Sequence, residues 1–220
     1  MSLKIAEATL TTPQSGDSCP LQRDGDDTPY RFDPSTLGGG LQLPIQDGRY
    51  YIGPTEFLDG SDSIAETDGI LFALPFAFGE GKTWTRIGVQ ETAGGALDAI
   101  RVGVYADSNG LPGARILDAG ELSLASPGFI EATISQALDA NTVYWRVGIS
   151  NAATGTAAPT RVSASGLGGF VYGLQDDGGG TLSSRIYPYR SVAYGALPAS
   201  FGTPDGFLSA FPLIWLRTGV

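Results

Sequence analysis

The stretch AIRVGVYADSNGLPGARILDAGEL, residues 99–122, decides the fold. In its first half Ile100, Val102 and Val104 fall on one side of an extended chain, and Arg101, Gly103 and Tyr105 fall on the other. That period of two marks a half-buried β-strand. Asn109-Gly110 then offers two residues that tolerate positive φ, the requirement of a tight reversal between antiparallel strands. Leu111-Pro112-Gly113 reads as a second corner, because proline presets φ for the first position of a turn. A second apolar run, ILDAGEL at 116–122, follows. Strand, reversal and strand make a hairpin.

The same grammar extends outward. ILFALPFAF at 70–78 is apolar on both faces, as expected for a strand covered on two sides. TWTRIGV at 83–89 is expected to place Thr83, Thr85, Ile87 and Val89 on one side and Trp84, Arg86 and Gly88 on the other. FIEATI at 129–134 aligns Ile130, Ala132 and Ile134. TVYWRVGIS at 142–150 is expected to turn Val143, Trp145, Val147 and Ile149 inward, with Trp145 plugging the core, and Tyr144 and Arg146 outward. Weaker strands are expected at RVSAS (161–165), FVYGL (170–174) and LIWLR (213–217), and turn chemistry (ASPG 125–128, LDAN 138–141, DDGGG 176–180) separates the segments. With 32 glycines and 14 prolines in 220 residues, a helix bundle is excluded, since each interior Gly costs a helix about 1 kcal/mol and each Pro about 3 kcal/mol. The expected fold is all-β: an antiparallel β-sandwich of jelly-roll type over 69–220.

Residues 1–68 read differently. They carry DGDD at 24–27, Gly38-Gly39-Gly40 and six prolines among few sustained alternations. They also hold Tyr30, Phe32, Leu41, Leu43, Ile45, Tyr50, Tyr51, Ile52 and Phe57, more apolar content than a solvated tail needs. The expectation is an extended N-terminal arm, used for attachment or oligomerisation and ordered by another chain.

Composition removes most catalytic repertoires. There is no histidine, so Ser-His-Asp and Cys-His chemistry and imidazole metal ligation are out. The single Cys19 allows no intrachain disulfide and no thiolate zinc site, and no role is assigned to it. A net charge of −10 disfavours nucleic acid, and no apolar run is long enough to span a membrane. The string GKT at 81–83 lacks the Gly of a phosphate loop five positions earlier, where Phe76 stands, and reads as a strand-entry turn. Acidic turns at Asp24/Asp26/Asp27, Asp59/Asp62, Asp107/Asn109 and Asp176/Asp177 follow no calcium-loop spacing, so no metal and no cofactor is expected. Glu56, Glu66, Glu80, Glu91, Glu121 and Glu131 are raw material for a carboxylate-only glycosidase, yet nothing in the sequence pairs them, and no catalytic residue is assigned. The densest aromatic group is SRIYPYRSVAYGALPASF at 184–201. Tyr187, Tyr189, Arg190 and Tyr194 are its candidate ligand-binding residues, as a glycan platform or a subunit contact.

Several stretches together resemble a domain family of tailed-phage virion proteins, found in tail-fibre and receptor-binding chains. They are DGRYYIGP (47–54), GILFALPFAF (69–78), TRIGVQ (85–90), IRVGVYADSNGLPGARILDAGEL (100–122), PGFIEATISQALDANTVYWRVGIS (127–150) and FPLIWLR (211–217). The resemblance implies a jelly roll similar to carbohydrate-binding modules, with no catalytic residues. It further implies a structural protein on the particle surface, made in the host cytoplasm. The arm would bind other virion proteins, copies would assemble (a homotrimer by family analogy), and the sandwich would meet a host surface glycan. Unlike long fibre chains, this one has no coiled-coil or β-helical shaft. Two other readings stay open: a capsid decoration, cement or head-fibre protein, and an acidic glycosidase or depolymerase.

Overall fold

A computed structural model describes residues 45–52, 56–61, 67–164, 175–176, 182–183, 187–208 and 210–219. Among these residues there are fifteen β-strands and no α-helix. In chain order they are β1 (Tyr50–Tyr51), β2 (Glu56–Ser61), β3 (Ile70–Phe76), β4 (Lys82–Glu91) and β5 (Ala99–Ser108). Next come β6 (Leu111–Ser123), β7 (Gly128–Leu138), β8 (Tyr144–Asn151), β9 (Thr160–Ala164) and β10 (Gln175–Asp176). The last are β11 (Leu182–Ser183), β12 (Tyr187–Ser191), β13 (Gly206–Leu208), β14 (Ala210–Pro212) and β15 (Trp215–Arg217).

One layer is a six-stranded sheet in the order β13-β12-β3-β8-β5-β6. The other holds β1-β15-β4-β7, and the ladder β14-β9-β2 adjoins it where Glu91, ending β4, bridges Pro159 just before β9. A separate two-stranded ladder joins β10 and β11. Every strand ladder is antiparallel. The sheets pack as a sandwich, an arrangement compatible with jelly-roll connectivity. Its core takes Phe72, Leu74 and Phe76 from β3, Ile100, Val102 and Val104 from β5, and Trp84, Ile87 and Val89 from β4. Each such side chain contributes about 1.5–3 kcal/mol by leaving water.

The deciding hairpin forms with one change. Asn109 and Gly110 both take positive φ (55° and 82°), as a two-residue primed turn requires. Leu111-Pro112-Gly113 makes no second corner: β6 begins at Leu111 and continues through it, with a bulge against β5 between Pro112 and Arg115. Pro112 is tolerated because β6 is an edge strand, where a missing N–H breaks no ladder.

Two parities differ from expectation. In β4 a bulge opposite β7, between Trp84 and Arg86, shifts the alternation so that Trp84 joins Ile87 and Val89 inside. In β8 the faces are reversed. Tyr144 lies in the inter-sheet core, and Arg146 beside it sits over the Phe76 ring at 5.2 Å and donates to the carbonyl of Ile214. Trp145, Val147 and Ile149 face outward from the sandwich, into a second apolar cluster with Leu71, Ala73, Tyr105, Leu197 and Phe201. Trp145 is therefore no plug between the sheets. The physical cause is the segment 192–201, which covers the outer face of the six-stranded sheet. It is tied down where Arg115 N–H donates to Ala199, Phe201 N–H to Gly113 and the Tyr105 hydroxyl to Pro198. With both faces of β8 buried, residue size no longer tells inside from outside.

Residues 45–52 and 56–61, within the expected arm, join the sheets. Ile45 is buried; its N–H donates to Glu80 and its carbonyl accepts from the Lys82 ammonium. That contact gives the GKT string its structural use. β1 pairs with β15 and β2 with β9, and Tyr51 packs edge-on against Phe78 and Trp84. The apolar residues of 45–52 thus complete this sandwich. Residues 1–44, with Cys19, lie outside the described residues.

Candidate functional site

The four residues expected to share a binding face do not share one. Tyr187 is fully buried in the inter-sheet core, and Tyr189 packs against the same core. Arg190 pairs with Leu71 in register, on the opposite face of the sheet, and donates to the carbonyl of Phe201. Tyr194 packs on the outer cluster and donates its hydroxyl to Glu121 at 2.8 Å. Burial and that hydrogen bond push the Tyr194 phenol well above its ordinary pKa, and burial pushes Tyr105 up to about 12. Strand alternation divides the group, and its tyrosines serve the two apolar clusters.

Glu80, Glu91, Glu121 and Glu131, four of the carboxylates named as glycosidase material, are engaged in structure. Glu80 holds Ile45, Glu121 accepts from Tyr194, and Glu131 binds two arginines. Asp107 accepts from Gly110 N–H and from the Trp145 indole, fixing the hairpin to β8. Among the described residues no group of three or more His, Cys, Asp or Glu is placed to hold a metal. Asp24, Asp26, Asp27, Asp62, Glu66 and Asp177 lie outside them, as does the expected strand 170–174.

One end of the sandwich is locked by two carboxylates, Glu91 and Asp98, each 1% exposed. Glu91 Oε1 accepts from the backbone N–H groups of Thr92, Ala93, Gly94 and Ala158. Asp98 accepts from Thr154 (2.6 Å), Gly155 (3.1 Å), Thr156 (2.9 Å) and Ala157 (2.9 Å). Burial works against the Asp98 charge, but the N–H groups of Ala157, Thr154 and Gly155 and the Thr154 hydroxyl outweigh it and bring its pKa to about 2. Leu97, in the loop so held, is 78% exposed at φ 70°.

The outer face of the four-stranded sheet carries what the sequence did not single out. Gly88 of β4 pairs with Trp215 of β15, and a Cβ on Gly88 would lie 2.7 Å from the indole ring. Glycine therefore leaves the space in which Trp215 lies flat on the sheet. Tyr50 covers it edge-on at 4.6 Å, and Phe129 reaches it from β7 at 6.3 Å. Tyr50 and Phe129 stack on each other at 4.6 Å and 11°. Trp215 is left 1% exposed, while Phe129 is 53% and Tyr50 41% exposed. Beside the rings, Glu131 Oε1 accepts from Arg86 Nε at 3.1 Å and from Arg217 Nη2 at 2.8 Å. The Arg217 guanidinium lies 5.3 Å from the Tyr50 ring centre. The available signal was register: once β1, β15, β4 and β7 are aligned, Tyr50, Arg217, Gly88 and Glu131 fall on one face. The sequence does not show that alignment.

Comparison with protein-family models, curated proteins and solved structures finds no match for this chain.

Proposed function

We propose that this chain is a non-enzymatic structural protein of a tailed-phage particle, a fibre or receptor-binding component whose jelly-roll sandwich meets a glycan on the host surface. The observation that carries this reading is the exposed Tyr50–Phe129 stack over Trp215. Aromatic faces held rigidly on a sheet pack against the C–H face of a sugar ring, and adjacent polar groups orient its hydroxyls. Rigid rings lose little side-chain freedom on binding, so the contact needs no rearrangement. The resemblance of 47–217 to fibre and receptor-binding chains supports the particle context. Residues 1–44 would supply attachment to other virion proteins or to sister copies.

The test has two parts. Labelled antibody should find the protein on the tail of the particle, and soluble protein should block adsorption while Phe129→Ala should not. Head location with unaffected adsorption would establish a decoration or cement protein instead. Clearing of host polysaccharide by purified protein, abolished by Asp or Glu substitutions, would establish a depolymerase.

A further inference from the structure

The exposed ring cluster adjoins an unbalanced charge. Glu131 is the sole ion-pair partner of both Arg86 and Arg217 among the described residues, and both guanidinium groups use its Oε1. Two cations against one carboxylate leave a net positive charge beside the rings, in a chain whose overall charge is −10. Arg217 donates to Glu131 through Nη2 alone; its buried Nε has no acceptor. The outer nitrogens of the guanidinium, not the buried Nε, suit a planar anion, the geometry a guanidinium recognises best.

Resting on the glycan-binding reading above, we propose that this site selects an acidic saccharide. One sugar ring packs on the face of Phe129 that the stack leaves open, the faces of Tyr50 being taken by Phe129 and Arg217, and a carboxylate further along the saccharide pairs with the Arg217 guanidinium. Area favours this occupant over a second copy of the chain. Phe129 and Tyr50 at roughly half exposure offer on the order of 200 Å² of ring surface. That suits one or two sugar rings and falls far short of the roughly 800 Å² per partner of a stable protein interface. Charge favours it over a neutral sugar, since an acidic protein repels polyanions everywhere except where cations outnumber carboxylates. Binding is therefore expected to weaken as salt rises.

The experiment measures binding of the full chain to polygalacturonate and to its methyl ester, which keeps the ring and removes the charge. The expected result is binding to the polyuronate at least ten-fold tighter than to the ester, a preference abolished by Arg217→Gln. Glu131→Gln, which removes the competing carboxylate, should tighten polyuronate binding several-fold, so a gain of function guards against misfolding of the arginine variant. Equal binding of both polymers, lost in Phe129→Ala, would overturn the acidic preference and leave the glycan reading standing. Polyuronate binding that survives Phe129→Ala would be simple charge attraction and would overturn the subsite. If neither polymer binds while the protein still blocks adsorption in a Phe129-dependent way, the acidic-saccharide inference falls alone.

Discussion

Replacing Asp98 should unfasten one end of the sandwich. Its carboxylate, 1% exposed, is the acceptor for four successive backbone N–H groups, and the N–H of Ala157 is itself buried. Hydrogen bonds to a charged group contribute about 1.5–3 kcal/mol each, but three of these donors are only partly buried and can turn to water. The Ala157 donor cannot, and being stranded costs it about 1–3 kcal/mol. Asp98→Ala should therefore cost about 3–5 kcal/mol, within the range for breaking a buried charge network. Asp98→Asn keeps the shape and one oxygen but turns an NH₂ group toward two N–H donors, and should cost about 2–3 kcal/mol. In a unit of this size 1 kcal/mol moves Tm by about 2–4 °C, so the alanine variant should melt roughly 6–20 °C lower. Linkage adds a pH signature. The folded pKa of about 2 lies below the ordinary aspartate value of 3.8, so the unfolded chain binds the proton more readily. The stabilisation is complete above pH 3.8 and is lost as pH falls toward 2. Denaturant titrations from pH 7 to pH 2 should show that loss in the parent and a flatter profile in Asp98→Asn. An alanine variant within 1 kcal/mol of the parent at pH 7 would refute the claim that this carboxylate organises the loops.

Other outcomes follow from single contacts. Leu97→Gly should raise stability by up to about 1 kcal/mol, because a left-handed leucine costs about 1–2 kcal/mol and glycine's extra unfolded-state freedom returns only part of that; thermal melting reads it. Gly88→Ala should destabilise by at least about 2 kcal/mol, since its methyl would meet the Ile130 carbonyl and the Trp215 ring, and solvent quenching of Trp215 fluorescence should rise. Phe201→Ala should cost about 3–5 kcal/mol by opening the outer cluster that roofs Trp145, with loss of stability measured by denaturant unfolding. On the alkaline side, Tyr105 favours the folded state below pH 10 and this contribution disappears as pH rises through about 12, so unfolding titrations of Tyr105→Phe should lack that part of the decline.

How far the sequence is legible depends on what surrounds each strand. The pattern at Ile100, Val102 and Val104 is read correctly because β5 has one strongly apolar face and its neighbour on the alternate face is Arg101. In β8 large side chains stand on both faces, and only the crossing of 192–201 decides which one meets the second sheet. In β4 one bulged residue reverses parity at Trp84, and no local signal marks it. The tyrosines at 187, 189 and 194 are conspicuous in sequence because they are close together, yet pleating and a turn send them to two different clusters. Tyr50 and Phe129 are 79 positions apart and meet only after three ladders bring β1, β15, β4 and β7 into register. Long-range pairing made the candidate site invisible to a linear reading.

The three tryptophans provide the most direct test of the central claim. Trp84 lies between the sheets, Trp145 in the outer cluster of the six-stranded sheet, and Trp215 beneath Tyr50 and Phe129. Their indole N–H resonances can be followed in ¹⁵N-labelled protein as host surface polysaccharide is added. Binding at the Tyr50–Phe129 stack predicts that the Trp215 resonance moves while Trp84 and Trp145 stay. Movement of Trp145 with Trp215 unchanged would place recognition on the opposite layer, and three stationary resonances at saturating polysaccharide would contradict glycan binding by this protein.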